Sequence, residues 1–406
     1  MHLFTMEALW ECFDELDRNK AIGIDGVSKA QYGQELIPNL EGLVVKLKQM
    51  AYRPGPVRQV LIDKEGKPGA KRPLGISNFE DKIVQKMMQR VLESVYEPIF
   101  LDCSYGFRPG RGCHDAVKAL RNHLCRNEVE TVIDVDLANF FGTIDHALLE
   151  QILRKKIKDK RLMRYILRMF KAGMLAAGEL QVSEEGVPQG SICSPVLANI
   201  FAHYVIDQWF QEVVKQHCEG SVELFRYADD AVICCRYERD AQRIRKALGK
   251  RLGKYHLTLN EEKTHMVSFS KRGYRRGDKQ GAFDFLGFTY YLSRTRRGYA
   301  VPKLKTSGKR LCSKLKRVNQ WARAMRHRYP LRVLWRRFSL KLAGHTRYYG
   351  VSYNWGRINQ FYHAATQILF RWLNRRGHRR SYDWDSFSMF RDQNPLPPIR
   401  IYHRLY

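Results

Sequence analysis

The chain has 406 residues, 44% of them apolar, with 71 Lys and Arg against 41 Asp and Glu, a formal net charge of +30. This length and apolar content allow two to three domains with a sizeable core and exclude global disorder. So large a charge calls for a polyanionic partner, and no apolar run approaches the roughly 18 residues of a membrane span, so nucleic acid is expected and a membrane is not. The charge is also uneven: residues 303–406 hold 24 Lys and Arg against only Asp383, Asp385 and Asp392, a net of +21 that leaves +9 for the rest. Met1 to Asp17 is interrupted by Glu7, Glu11, Asp14 and Glu15 and does not read as a signal peptide. The nine cysteines form no CxxC pair, which argues against a disulfide framework or a zinc site and fits a reducing cytosol.

Residues 1–20 read as a helix with Leu9, Phe13 and Leu16 on one side, followed by a Gly23-Ile24-Asp25-Gly26 loop and a second helical stretch over 31–50. Val57 to Ile62 alternates as a strand does and Gly66-Lys67-Pro68-Gly69 is a turn, predicting two strands around a basic turn, a flap suited to something anionic. Residues 79–100 predict an amphipathic helix, and Thr131 to Phe141, opening with Val132, Ile133 and Val135, predicts a central strand running into a turn. Helix is expected from there to about Leu175, then a Gly186-to-Ser191 loop entering a helix through Phe210. Leu224 to Cys235 predicts a hairpin with its tip at Ala228-Asp229-Asp230, 239–255 a helix, and Phe283 to Tyr291 one more strand. After about Pro302 strands are expected to end. Three basic helices over 307–328, 331–347 and 357–376 follow, each with an apolar stripe such as Leu315, Val318, Trp321 and Met325, and the boundary falls near 293–305.

Two segments place carboxylates among apolar neighbours: Asp134-Val135-Asp136 on the central strand, and Asp229-Asp230 between Phe225-Arg226-Tyr227 and Val232-Ile233-Cys234-Cys235. Such groups are costly unless paired or bound to a metal. An acidic turn at a strand end is the bland alternative. The functional reading is a pair of Mg²⁺ ions about 3.5–4 Å apart, one activating a 3′-hydroxyl and the other holding a triphosphate. Asp134 and Asp136 share a strand face, so spacing alone leaves the choice between them open. An EF-hand over 134–145 fails because Ala138 and Asn139 stand where an oxygen ligand and glycine are needed.

Tyr227-Ala228-Asp229-Asp230 resembles the hairpin of reverse transcriptases, Asp136-Leu137-Ala138-Asn139-Phe140-Phe141 their first palm motif, and Gly186-Val187-Pro188-Gln189-Gly190-Ser191 with Ser194-Pro195-Val196-Leu197-Ala198-Asn199 the motif between them. Ser104-Tyr105-Gly106-Phe107-Arg108-Pro109-Gly110-Arg111 is similar to a segment of group II intron reverse transcriptases. So are Gly23 to Val27, Tyr52-Arg53-Pro54, Leu74-Gly75-Ile76, Asn260-Glu261-Glu262-Lys263-Thr264 and Phe285-Leu286-Gly287-Phe288, all in the family's order. The likeness covers residues 10–292 densely and the helical part loosely. It implies an α+β right-hand polymerase with fingers and palm, an antiparallel sheet plus helices, over 1–292 with an N-terminal extension of about 1–50. An all-helical thumb or maturase X domain over 303–376 and a basic tail over 377–406 would follow.

The resemblance implies that Asp136, Asp229 and Asp230, helped by the Leu137 carbonyl, hold two Mg²⁺ ions, with Mn²⁺ able to substitute. Lys64 and Arg72 would hold the incoming triphosphate, Gln189 the nucleotide, and Phe141 would exclude a ribose 2′-hydroxyl and so select dNTPs. Tyr227 and Lys263 would lie near the primer end, and Arg108 and Arg111 on the template. Lys309, Lys316, Arg317, Arg323 and Arg326 of the thumb would meet duplex phosphates, and Gly23 to Gly26 would form a loop that lids the template. The implied partners are an RNA template, a DNA or RNA primer, dNTPs and a cognate intron RNA, in the bacterial cytosol and at the nucleoid when acting on DNA.

Two departures stand out. Gly142 occupies a position where the family usually has Asp, and no Cys/His-rich endonuclease module follows the helices, so a borrowed primer is expected. A second Asp near Phe141, usual in RNA-dependent RNA polymerases, is lacking. A maturase with an incidental polymerase, or a domesticated enzyme of phage defence, CRISPR acquisition or DNA repair, stays open.

Overall fold

The structure, a computed structural model, describes residues 1–63, 69, 71–176, 179–181, 185–186, 190–376 and 382–405. The chain divides into two compact units, one of Met1–Ala116 with Val132–Met266 and one of Val117–Thr131 with Val267–Tyr406. Helix and antiparallel sheet are mixed, 53% and 17% of the residues, as a polymerase fold with a helical C-terminal part requires.

In the first unit, strands β1 (Val57–Asp63) and β2 (Lys71–Ile76) form the expected flap, with Asp63 opposite Lys71 and Arg58 opposite Ile76. Strand β3 is Thr131–Asp136; β4 (Met174–Ala176) pairs parallel to β1 and antiparallel to β5 (Glu179–Gln181). The Asp-Asp hairpin is built by β6 (Val222–Tyr227) and β7 (Asp230–Cys235), which pair from Val222–Cys235 to Tyr227–Asp230. With β8 (His265–Ser268) they make a four-stranded sheet in the order β6-β7-β3-β8, so the two acidic segments lie on adjacent strands. The inward residues Val132, Ile133, Val135, Val232, Ile233, Cys234 and Cys235 are all buried. Near-continuous apolar runs of this kind suit a sheet covered on both faces.

Helices 6–15, 36–48, 79–96, 146–154 and 160–171 pack their apolar stripes into one core with this sheet, including Leu9, Leu43, Ile83, Leu149 and Ile166. The helix entered through Ser194 runs as an α-helix to Ala202 and then widens into π turns at His203–Asp207 and Phe210–Val214. Turns of this kind concentrate at functional sites. A helix at Cys113–Arg126, which the sequence pattern did not predict, belongs from Val117 onward to the second unit.

In the second unit, strands β9 (Ala282–Phe285), β10 (Phe288–Arg294) and β11 (Ala300–Thr306) form a sheet in the order β11-β10-β9. Strand structure therefore continues to Thr306 rather than ending at about Pro302. Pro302 is tolerated because β11 is an edge strand, where a missing ladder donor does least harm. The basic helices follow at Gly308–Met325, Leu331–Tyr349 and Trp355–Leu373, close to their expected spans. The basic tail is more ordered than its composition suggests: Trp384–Gln393 is a helix whose Phe387 is buried with Trp335 and Phe338. The segment after it docks by Tyr402 and His403 N–H donation to the Gly350 carbonyl and by burial of Leu405.

Candidate active site

Asp229 sits in the two-residue turn between β6 and β7, where Ala228 is forced to φ +56°. A left-handed alanine costs roughly 1–2 kcal/mol, so neighbours must hold it. Arg226 is the principal one. It is 1% exposed, its guanidinium donates to both Asp207 oxygens (2.7 and 2.6 Å), to Ser104 Oγ (2.7 Å), to Asn199 Oδ1 (3.1 Å) and to the Ala228 carbonyl (3.0 Å). Asp207, wholly buried at the end of the first π turn, supplies its counter-charge. The Ser104–Arg111 segment lies behind the hairpin: Tyr105 N–H donates to the Arg226 carbonyl (2.9 Å), Arg226 N–H to the Cys103 carbonyl (2.8 Å), and Asn199 Nδ2 to the Gly106 carbonyl (2.5 Å). A Cβ on Gly106 would stand 2.5 Å from the Ala228 nitrogen, so only glycine allows this approach.

Asp136 ends β3 and is clamped by residues 258–264. Its carbonyl accepts from Asn260 N–H (2.9 Å), its N–H donates to Thr264 Oγ1 (3.3 Å), and Ala138 N–H donates to the Thr258 carbonyl (2.9 Å). Lys263 Nζ lies 2.7 Å from the Asp136 carboxylate. Burial pushes the Asp229 carboxyl above the usual range, and the Asp136 charge adds to the push, while Arg72 and Lys263 oppose it. Arg72 on β2 therefore lies within electrostatic reach of Asp229, and the sequence-separated candidates Asp136, Asp229, Arg72 and Lys263 act on one spot. Asp230 opens β7 and is exposed.

The first palm motif is stitched to the loop between the motifs. Gly186 N–H donates to the Ile144 carbonyl (2.8 Å), and the His146 ring bonds the Gly186 carbonyl (2.7 Å). Gly190, at φ +113°, meets β2 so closely that a Cβ there would overlap the Gly75 carbonyl oxygen. Gly142 is explained by its neighbour: Asn139, itself at φ +47°, lays its side-chain amide where a Cβ of residue 142 would go. The Asn139 amide thus stands in the space that an acidic side chain at 142 would need.

Residues 62–290 match the family described as reverse transcriptase (RNA-dependent DNA polymerase). The chain belongs to the reverse transcriptase family. It is 34% identical over 202 residues to the group II intron-encoded protein LtrA of Lactococcus lactis subsp. cremoris, covering 50% of this chain but 33% of that protein. It is 32% identical over 306 residues to protein YkfC of Escherichia coli K12, 68% of this chain and 77% of that one. A nuclear intron maturase 4 of Arabidopsis thaliana mitochondria is 27% identical over 140 residues, 34% of this chain and 17% of the relative. The chain thus spans about a third of the length of the lactococcal relative.

Reverse transcriptase domains work with divalent metal ions, and the donor set here suits one: the desolvated Asp229 carboxyl, pushed up by burial and by the nearby Asp136 charge, gains from a cation beside it. Among the described residues no group of three or more His, Cys, Asp or Glu side chains is arranged to hold a metal. The Lys263 ammonium pairs with Asp136 at 2.7 Å.

Arg108, expected on the template, is turned into the protein. It is 6% exposed, grips Glu97 with Nε and Nη2 (3.0 and 2.7 Å), and caps the Leu101 and Ser104 carbonyls (2.8 and 2.9 Å). It braces the Ser104 segment, and its donors are engaged within the protein. Arg111 pairs with Asp102 (2.6 Å) nearer the surface, and Tyr227 is half-buried beside Phe107. Phe141 is half-buried against Phe140. Lys64 and Gln189 lie outside the described residues.

The Gly23 loop is anchored rather than loose: Ile24 and Asp25 N–H donate to Asn78 Oδ1 (3.0 and 3.3 Å), while Arg58 and Lys82 hold the Ile22 and Ala21 carbonyls (2.7 and 2.6 Å). In the second unit Lys309, Lys316 and Arg323 recur every seven residues along one exposed face of helix 308–325, with Arg317 exposed on the next stripe. Among the described residues no helix is long and apolar enough to cross a membrane.

Asp207 went unnoticed in the sequence, and Asn199, Thr264 and Gly106, though inside the matching motifs, carried no assigned role. One signal was present: an arginine inside the apolar run Leu224-Phe225-Arg226 must find a buried partner.

Proposed function

We propose that this protein is an RNA-directed DNA polymerase of a group II intron or related retroelement, which extends a DNA or RNA primer on an RNA template. The observation that carries this reading is the desolvated Asp229 within electrostatic reach of Asp136 and of the cations Arg72 and Lys263, the last of them paired with Asp136 at 2.7 Å. Asp136, Asp229 and Asp230, with the Leu137 carbonyl, would hold two Mg²⁺ ions, with Mn²⁺ as the substitute. When bound, these supply Lewis-acid stabilisation of the attacking and leaving oxygens in nucleotidyl transfer. Arg72, with Lys64, neutralises the triphosphate of the incoming dNTP. Gln189 contacts the nucleotide, and Phe141 fills the space a ribose 2′-hydroxyl would need. Lys263, now on Asp136, is released to the primer end or phosphate when that carboxylate is otherwise neutralised. Tyr227 supports the primer end, Arg111 meets the template, and Lys309, Lys316, Arg317 and Arg323 meet duplex phosphates.

The test is primer extension by the purified chain on an RNA template with a DNA primer, dNTPs and Mg²⁺, beside NTPs and the Asp229→Ala variant. Full-length product from dNTPs alone is expected, reduced at least about a thousandfold in the variant by loss of several kcal/mol of charge stabilisation, with template binding retained. Extension that survives in the variant refutes the assignment. No extension by the parent chain, with tight binding to an intron RNA, would favour a splicing maturase, a reading supported by the name of the Arabidopsis relative. A domesticated role would leave the same chemistry and would be distinguished by an absence of intron ribozyme sequence flanking the gene.

A further inference from the structure

No Asp or Glu occurs between Phe285 and Tyr382, yet not all the cations of that stretch lie on helices. The solvent-facing side of the β9–β11 sheet carries Tyr291 and Ser293 of β10 beside Lys303 and Lys305 of β11, with Tyr291 directly opposite Lys303 in register. Lys305 Nζ stands 4.8 Å from the Tyr291 ring centroid. Next to this face, the loop after helix 331–349 presents Tyr353, 43% exposed, and the helix that follows opens on Trp355, 52% exposed.

Tyr353 is held at φ +71°, a conformation that a bulky side chain adopts only when its surroundings impose it. They do so from behind. Arg121, itself 8% exposed, places its guanidinium 5.5 Å from the ring centroid, donates to the Tyr353 hydroxyl (3.3 Å) and to the Leu405 carbonyl (2.8 Å), while Asn354 bonds Thr306 and the Tyr349 carbonyl. Lys303 reaches the same ring at 5.9 Å, which joins the loop to the sheet face. Arg357 is close enough to act electrostatically on the Tyr291 hydroxyl. The one acid on this face, Asp284, is engaged by Thr289 Oγ1 and Ser307 Oγ.

We propose that this face is a binding platform for single-stranded RNA, on which unstacked bases rest against Tyr353, Trp355 and Tyr291 while Lys303, Lys305 and Arg357 meet the phosphates. Exposed rings bordered by cations fit a single strand, because a duplex keeps its base faces covered. The Tyr291 and Ser293 hydroxyls on the same face supply partners for a ribose 2′-hydroxyl, which selects RNA over DNA. The strained Tyr353 gives the platform a fixed ring with little conformational freedom left to lose on binding. The inference does not depend on polymerase activity, and its test reads binding alone.

The experiment is a fluorescence-anisotropy titration of the full chain with a labelled oligouridine, in excess unlabelled RNA–DNA primer-template to fill the polymerase cleft. A 4-thiouridine copy of the oligomer is crosslinked and mapped in parallel. Crosslinks at Tyr291, Tyr353 or Trp355 are expected. Tyr353→Gly, which removes the ring and relieves the strain, is expected to weaken binding about tenfold, as loss of one stacked base does. Lys303→Ser with Lys305→Ser is expected to lower the salt slope by roughly 0.7 per lysine without changing extension of a short primer-template. Unchanged affinity in both variants with crosslinks elsewhere would overturn the proposal. So would an equal loss of duplex binding, equal affinity for the deoxy-oligomer, or a parallel loss of extension.

Discussion

Arg226 and Arg323 carry the same guanidinium in two regions that use it in opposite ways. Arg226 is sealed in the first unit, with a buried carboxylate and three further acceptors around it, and it holds the Ala228 carbonyl at the hairpin tip. Arg323 stands exposed on a helix whose whole span holds no acid. In the first unit charge is placed for geometry, each group fixed by partners from distant segments: Arg108 by Glu97, Asp81 by Tyr52, Asp136 by Lys263. Along helix 308–325 of the second it is placed for field, many like charges with no acid among them. The contrast teaches that a charge in the first unit is worth what its neighbours make of it, whereas one on the exposed face of helix 308–325 is close to interchangeable with the next.

That contrast can be broken by substitution. Its sharpest form is the Arg226–Asp207 pair: Arg226→Met or Asp207→Leu alone leaves a buried charge unmatched and is expected to destabilise by about 3–5 kcal/mol, while the double variant regains much of that loss. Urea unfolding of the three proteins measures it, and additive losses would show that the pair is not coupled.

Asp81 tests the same principle by pH. Burial raises its carboxyl from 3.8 to about 6, against donation from Tyr52 (2.5 Å) and Gly55 (3.1 Å). Because the folded pKa lies above the unfolded one, its stabilising contribution is full below about pH 4 and is lost as pH rises through 6. The stability of the parent chain relative to Asp81→Asn should therefore fall by about 3 kcal/mol between pH 4 and 8. A difference that stays flat over that range contradicts the assignment.

Gly106→Ala carries no charge at all and asks whether shape matters as much. Its Cβ meets the Ala228 nitrogen, so extension should fall about a hundredfold through displacement of Asp229, with template affinity nearly unchanged. Equal activity in the alanine variant would mean that the hairpin yields without cost.

The smallest effects belong to the second unit. Lys316→Ala or Arg323→Ala should each weaken duplex binding a few-fold, uniformly over sequences, and lower the slope of log affinity against log salt by roughly 1. A loss much larger than this for either residue, or dependence on duplex sequence, would place it with Arg226 rather than with its neighbours.

Much of this was legible in the residues themselves. Alternation marked the flap and the Asp-Asp hairpin and helical periodicity marked the three basic helices, because these are local patterns with a fixed period, while carboxylates in apolar strands marked the candidate site. β11 was missed because Lys303, Lys305 and Pro302 obscure its pattern and its strand character comes from pairing with β10. Helix 384–393 was absorbed into a basic tail, although it docks by Phe387.

The sequence by itself determined that this is a reverse transcriptase chain with its acids on two strands and most of its charge in the C-terminal quarter. Only the tertiary structure decided which charges face outward. Arg108 and Arg111 lie three residues apart in one motif, yet Glu97 and two carbonyls enclose the first while the second stays near solvent. Asn139 and Gly142 likewise make sense only together, the amide of one lying where a side chain of the other would be. Hydrogen-bond partners and excluded volume are supplied across the fold by residues far apart in the chain, and composition and spacing hold no record of them.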